Sequence, residues 1–265
     1  MQRIDHPSNQ PTFQEPPMFK HLLALAAAAA FIAPAQALST GDIAFTSFNA
    51  DEDSWAVATF VDIAANTNIY FSDNEWNGSA FNDTNEHTLV WNTGAGTLSA
   101  GSVVVFTEID GTPDVISAST GTLSLAGSGG TNLGFAKSNE TVYAYIGTDA
   151  TTPTTFLTAL TTEADATPSY VTNAGLTFGV NAINLVPDAD FGEYTGARSG
   201  LATFAAYKTL VYDNGNWNDV ASGEFTGNAL NATFFTTAVP EPETYALMLA
   251  GLGAVGFMAR RRAQR

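Results

Sequence analysis

Between residues 38 and 238 the chain is cut into short runs of β-branched and aromatic residues, and that punctuation leaves few folds open to it. Runs at 43–48, 55–61, 68–71, 88–91, 102–107, 122–125, 141–146, 176–186 and 232–236 are bounded by Gly, Asn and Asp. Such side chains suit a pleated, half-buried surface, and turn residues recurring at roughly 8- to 15-residue spacing point to a sandwich or barrel. Gly101 ahead of Ser102-Val103-Val104-Val105-Phe106, and Asp110-Gly111 behind it, are the plainest turn marks. One stretch, 201–210, reads as a short helix. The expected fold is all-β, a single β-sandwich over residues 38–238, with a hydrophobic helix on either side. No repeat with a period of about 20–50 residues is visible, which argues against a solenoid or propeller.

Cysteine is absent, so the body must hold together through its core rather than through disulfides. The same absence removes Cys-ligated zinc, iron–sulfur clusters and thiol nucleophiles. Charge is sparse, at 13% of residues, and unevenly placed. Residues 38–238 hold three cations, Lys137, Arg198 and Lys208, against 22 Asp and Glu, a formal balance of −19. A surface of that sign repels phosphate backbones, which excludes nucleic acid as a direct partner.

The ends of the chain differ from its middle. Residues 1–17 are polar and proline-containing, and are expected to be an over-extended start ahead of Met18. Lys20 and His21 then form a basic lead, residues 22–32 an apolar run rich in alanine, and Ala35 and Ala37 the two small positions of a cleavage site. That three-part order reads as a secretory signal over 18–37, cut by signal peptidase. At the other end Val239-Pro240-Glu241-Pro242 leads into an apolar stretch at 245–259 and then Arg260-Arg261-Arg262. The prolines hold an extended path that a processing enzyme can grip, and the arginines mark a cytoplasmic stop. The apolar stretch is short for a spanning helix, which needs about 17–25 residues.

Pro240, Glu241 and Pro242, the apolar segment and the arginine cluster together resemble the PEP-CTERM sorting signal of Gram-negative bacteria. The resemblance covers 239–265 and implies processing by an exosortase, a membrane-embedded cysteine transpeptidase, with the motif residues acting as substrate. It implies export, anchoring in the inner membrane through a short transmembrane helix, and release to the cell surface or outside. A second resemblance lies at the start of the body. Gly41-Asp42-Ile43-Ala44-Phe45-Thr46 and the stretch 60–76, with an echo at Asn216-Trp217, are similar to a lamin-tail type of immunoglobulin-like β-sandwich found in bacterial surface proteins. It implies a fold and no activity.

Chemistry is thinly signalled. His87 is the one histidine of residues 38–238, it stands beside Glu86 in a polar stretch, and neither a Gly-x-Ser-x-Gly elbow nor a His-Glu-x-x-His zinc helix is present. The chain is therefore expected not to be an enzyme, a secreted hydrolase surviving only through its many carboxylates. Calcium is the one cofactor worth weighing, since Asp51, Asp53, Asp73, Glu75 and Asp83 supply hard oxygen ligands on adjoining loops, without EF-hand spacing. Trp76 and Trp217, flanked by Asn, are candidates to stack on sugars, whereas Trp55 in a strand is expected to be buried. The leading expectation is a surface-sorted structural or adhesive protein of the envelope or biofilm matrix. The alternative is a carbohydrate-binding module, calcium-assisted, that engages exopolysaccharide.

Overall fold

A computed structural model describes residues 37–82, 86–107, 116–127, 134–165, 168–239 and 242–263. The expected signal helix, with Ala35, lies outside the described residues, as do Asp83, Pro240 and Glu241. In chain order the elements are β1 (Ile43–Asn49), β2 (Ser54–Thr59), β3 (Asn68–Ser72), β4 (Thr88–Asn92), β5 (Val103–Thr107), β6 (Ser117–Ala118), β7 (Thr122–Ala126), β8 (Thr141–Gly147) and β9 (Pro153–Thr161). There follow α1 (Ser169–Asn173), β10 (Ala182–Asn184), β11 (Phe191–Tyr194), β12 (Ser199–Leu201), α2 (Phe204–Val211), β13 (Trp217–Val220), β14 (Thr236–Thr237) and α3 (Pro242–Ala263).

The strands form two six-stranded sheets, ordered β13-β11-β1-β2-β5-β6 and β10-β9-β8-β3-β4-β7, and a small parallel pair of β12 with β14. The pairing in the large sheets is antiparallel except at the edge, where β10 runs parallel to β9. Aromatic side chains join the two sheets across a shared core. Trp55 of β2 stacks on Phe106 of β5 at 4.9 Å and meets Phe71 of β3 edge-on at 5.2 Å. Trp91 of β4 approaches Phe106 at 5.3 Å, so one ring of the first sheet is gripped by two elements of the second. β1 and β2 are buried along their whole length, because they are central strands covered on both faces. Apolar residues therefore fall on both faces of each strand, with Thr46, Ser47 and Asn49 as buried polar members of β1.

β8 shows the other pattern. Val142 and Ala144 enter the shared core, while Tyr143 and Tyr145 turn to the opposite face. There they pack with Phe156, Val171 and Leu176 into a second cluster under α1. The second sheet is thus apolar on both sides, which explains how a chain without disulfides buries enough surface.

Several expectations need correction. The 176–186 run yields only three strand residues, since Asn181 and Ala182 donate to the Thr177 carbonyl and Gly179 takes φ +76°, closing a turn. Of 232–236 only Thr236 pairs as strand, in β14. The helix read at 201–210 begins later, at Phe204, because Thr203 caps it with a side-chain oxygen accepting from Ala206 N at 3.3 Å. The transmembrane helix expected at the C-terminus is corrected too. α3 has 22 residues, yet no helix among the described residues is long and apolar enough to cross a membrane. The polar start and the arginines confine its apolar part to 245–259, about 22 Å at the helical rise, against a hydrocarbon core of about 30 Å.

Candidate functional site

The C-terminal segment is strapped to the body before the sorting signal begins. Phe235 N donates to the Gly101 carbonyl at 2.8 Å, Thr236 N to Arg198 O at 2.8 Å and Ala238 N to Leu201 O at 2.7 Å. The Tyr207 hydroxyl of α2 donates to Thr236 O at 2.7 Å and accepts from Leu201 N at 3.0 Å, locking β12, α2 and β14 together. The Phe235 ring is buried against Phe60, Tyr194 and Tyr207, at 5.8, 5.9 and 5.1 Å between centroids. Gly101 makes this seat possible. Its φ is +88°, and a Cβ there would collide with the Phe235 carbonyl oxygen and the Phe204 ring.

Arg198 is the charged member of the strap. Its guanidinium lies 5.0 Å from the Phe235 ring centroid and 5.5 Å from that of Tyr194, and Nη1 donates to Thr233 O at 2.9 Å. Burial lowers the Arg198 pKa, opposed by the nearby Glu193 carboxylate, and pushes the Tyr194 phenol up to about 12. Val239, next in the chain after Ala238, is 83% exposed. Pro242 opens α3, where a residue without N–H costs nothing, and Arg260, Arg261 and Arg262 occupy its last turn, where cations suit the helix dipole. Ala37, the described half of the expected cleavage pair, is exposed.

Two of the carboxylates expected to hold calcium, Asp51 and Asp53, are otherwise engaged. Asp51 Oδ2 accepts from Phe225 N at 2.7 Å, and Asp53 Oδ1 from Phe135 N at 2.7 Å. Each ties a distant loop to the β1–β2 turn. Asp73 is buried near Glu140, and Glu75 is half-buried, its charge adding to the burial that raises the pKa of the Tyr143 phenol. Among the described residues no group of three or more His, Asp or Glu gathers in a way that would hold a metal ion. Asp51 and Asp53 are near in sequence, but the turn directs them to different backbone donors.

Glu140, which the sequence did not single out, is a perturbed acid. It is buried, its Oε2 and Oε1 accept from Ala136 N at 2.9 Å and Thr141 N at 3.0 Å, and its pKa stands well above the ordinary value. Desolvation is the main cause, with the charges of Asp73 and Glu86 adding to it against the two backbone donors.

The tryptophans separate. Trp55 and Trp91 are fully buried. Trp217 is buried as well, with Nε1 donating to Val211 O at 2.7 Å, which removes it as a sugar platform. Trp76 is half-buried against Phe81 at 5.1 Å and Phe156 at 5.3 Å, on the outer face of the second sheet.

Residues 238–262 match the family model described as the PEP-CTERM protein-sorting motif. The chain carries a PEP-CTERM sorting motif. The match begins at Ala238, itself bonded to Leu201 of the body, so the PEP-CTERM signal starts on the strap. A PEP-CTERM motif marks a secreted protein for exosortase processing and cell-surface sorting. No curated protein and no solved structure matches the chain.

Proposed function

We propose that this PEP-CTERM protein is a non-enzymatic structural or adhesive component of the envelope or extracellular matrix, delivered there by an exosortase. The observation that carries the reading is the direct junction at Ala238 between strap and motif, which makes the β-rich body the sorted cargo. Before processing, α3 engages the bilayer through its apolar stretch at 245–259. The body is read as an immunoglobulin-like sandwich of lamin-tail type, supported by two six-stranded sheets over one aromatic core and by the residues at 41–46 and 60–76. The test is mass spectrometry of protein recovered from the native host, with and without the exosortase, together with matrix cohesion in a strain lacking this protein. The expected mature form begins near Leu38, ends between Val239 and Pro242, and is lost without the enzyme, while the strain lacking it forms a weaker matrix. A tail intact through Arg265 in both strains, or an unaltered matrix, overturns the reading.

A second reading, exopolysaccharide binding, is favoured by one feature. Tyr70, Trp76 and Phe81 are half-buried aromatic residues on the outer face of the second sheet, where Tyr70 stacks on Tyr145 at 5.4 Å. Affinity electrophoresis in the host's polysaccharide should then show retardation that Trp76→Ala abolishes; equal mobility of both proteins would sink it.

A further inference from the structure

The body is electrically lopsided along β2. At the Ser54 end stands the turn of Asp51, Glu52 and Asp53, whose carboxylates take the backbone N–H groups of Phe225, Gly227 and Phe135. Asp190 is at the same end, with its carbonyl accepting from Ala50 N at 2.8 Å and its carboxylate 3.2 Å from Lys137. At the Thr59 end Gly101 N donates to Thr59 O at 2.7 Å, and the strap seats on Gly101. Five strand steps place these ends about 17 Å apart.

The strap end is built from three stretches, 93–103, 194–212 and 233–239, that contain no Asp or Glu, although residues 38–238 hold 22. Two of the three cations of the body, Arg198 and Lys208, lie there. Among the described residues, carboxylates at this end include Asp42, paired with Lys208 at 3.0 Å, Asp62, which accepts from Ala100 N at 2.8 Å, Glu193, whose field acts on Arg198, and Asp149 on the β8–β9 turn. Its surface presents Phe234, 56% exposed, and the exposed Ala202, Ala205 and Ala206, with Leu201 and Phe204 half-buried between them.

The sorting tail leaves from this end. Seven residues from Ala238 to Tyr245, where the apolar part of α3 begins, reach at most about 24 Å. Resting on the bilayer engagement proposed for α3, we infer that the strap end of the body lies against the lipid surface while the signal is being processed, with the Asp51–Asp53 turn facing away. Phe234 and Phe204 offer apolar rings to the boundary between headgroups and acyl chains. Charge fixes the sense of the orientation. An anionic lipid surface repels carboxylates over a screening length of about 8 Å, and the acidic turn held about 17 Å off lies beyond it. The reverse orientation presses that turn into the lipid charge.

The chain has no cysteine, so a single introduced one takes a fluorophore at one known place. The full chain, labelled at Ala205→Cys, Thr226→Cys or Leu252→Cys, is incorporated into vesicles of phosphatidylethanolamine and phosphatidylglycerol carrying a quencher on the lipid. Thr226 is exposed and adjoins Phe225 and Gly227 at the acidic turn, which makes it the distant control. The expected result is quenching at 252, quenching at 205 at least twice that at 226, and little at 226. Quenching at 252 with equal values at 205 and 226 overturns the orientation and leaves the tail reading standing. No quenching at 252 overturns the bilayer engagement of α3, and the orientation with it.

Discussion

Replacing Glu140 with glutamine should change how the stability of this protein depends on pH. The carboxyl of Glu140 is buried, faces the charges of Asp73 and Glu86, and holds its proton well above the ordinary value of 4.5. The folded state therefore binds more protons than the unfolded chain as pH rises past 4.5. In that window stability falls with rising pH. The contribution is complete below 4.5 and is lost as pH passes through the raised folded value. Each pH unit between the two values is worth about 1.4 kcal/mol. Glutamine is neutral in both states and contributes no slope. Its amide oxygen can accept from only one of Ala136 N and Thr141 N, and its NH₂ faces the other, a cost of about 1–3 kcal/mol at every pH. The variant should be the less stable protein near pH 4 and should gain on the wild type steadily toward neutrality. Urea unfolding of both proteins at half-unit steps from pH 4 to 8 gives the difference directly. Repulsion among the remaining acids is shared by the pair and largely cancels. Parallel stability curves would refute the argument, because they would mean that Glu140 ionises in the fold as it does in the unfolded chain.

Gly101→Ala should cost about 2–5 kcal/mol, from a side chain at φ +88° together with overpacking against Phe204 and the Phe235 carbonyl. Limited proteolysis should then cut within 231–239, and an unchanged melting temperature with a protected strap would show that the seat is not needed. Tyr212→Phe removes a buried hydroxyl that donates to Ile43 O at 2.8 Å and lies 3.2 Å from Thr158 Oγ1, linking the two sheets. A loss of about 1–2 kcal/mol at constant denaturant slope is expected, and no loss would mean that water replaces the hydroxyl.

The elements that could be read in advance are those whose signal is local. β1, β2, β3, β4, β5, β7 and β8 are runs of β-branched and aromatic side chains between turn residues, and each forms within two residues of the expected bounds. β9 was missed because its nine residues, with Pro153 first and four threonines, lack the apolar density of the others. Threonine is a good strand residue, and proline is tolerated at a strand's first position. β11 and β13 are only four residues each and exist because β1 offers an edge, Asn49 pairing with Phe191 and Phe191 with Val220. No local pattern announces a strand whose partner supplies its stability. Of the site residues, Trp217 was misjudged because flanking Asn suggested exposure, while the Val211 carbonyl that receives its N–H comes from the end of α2.

The sorting signal was determined by the sequence alone. A processing enzyme reads residues in linear order, so Pro240, Glu241, Pro242 and the terminal arginines carry their meaning wherever the body lies. The absence of cysteine and the balance of −19 over residues 38–238 are likewise properties of composition. What tertiary structure alone decided is where charge and burial fall. Arg198 between two rings, Glu140 beside Asp73, and a tail held by Gly101 and Tyr207 all depend on residues far apart in the chain. Their ionisation and accessibility follow from desolvation and from neighbouring charge, which only the folded packing brings within reach.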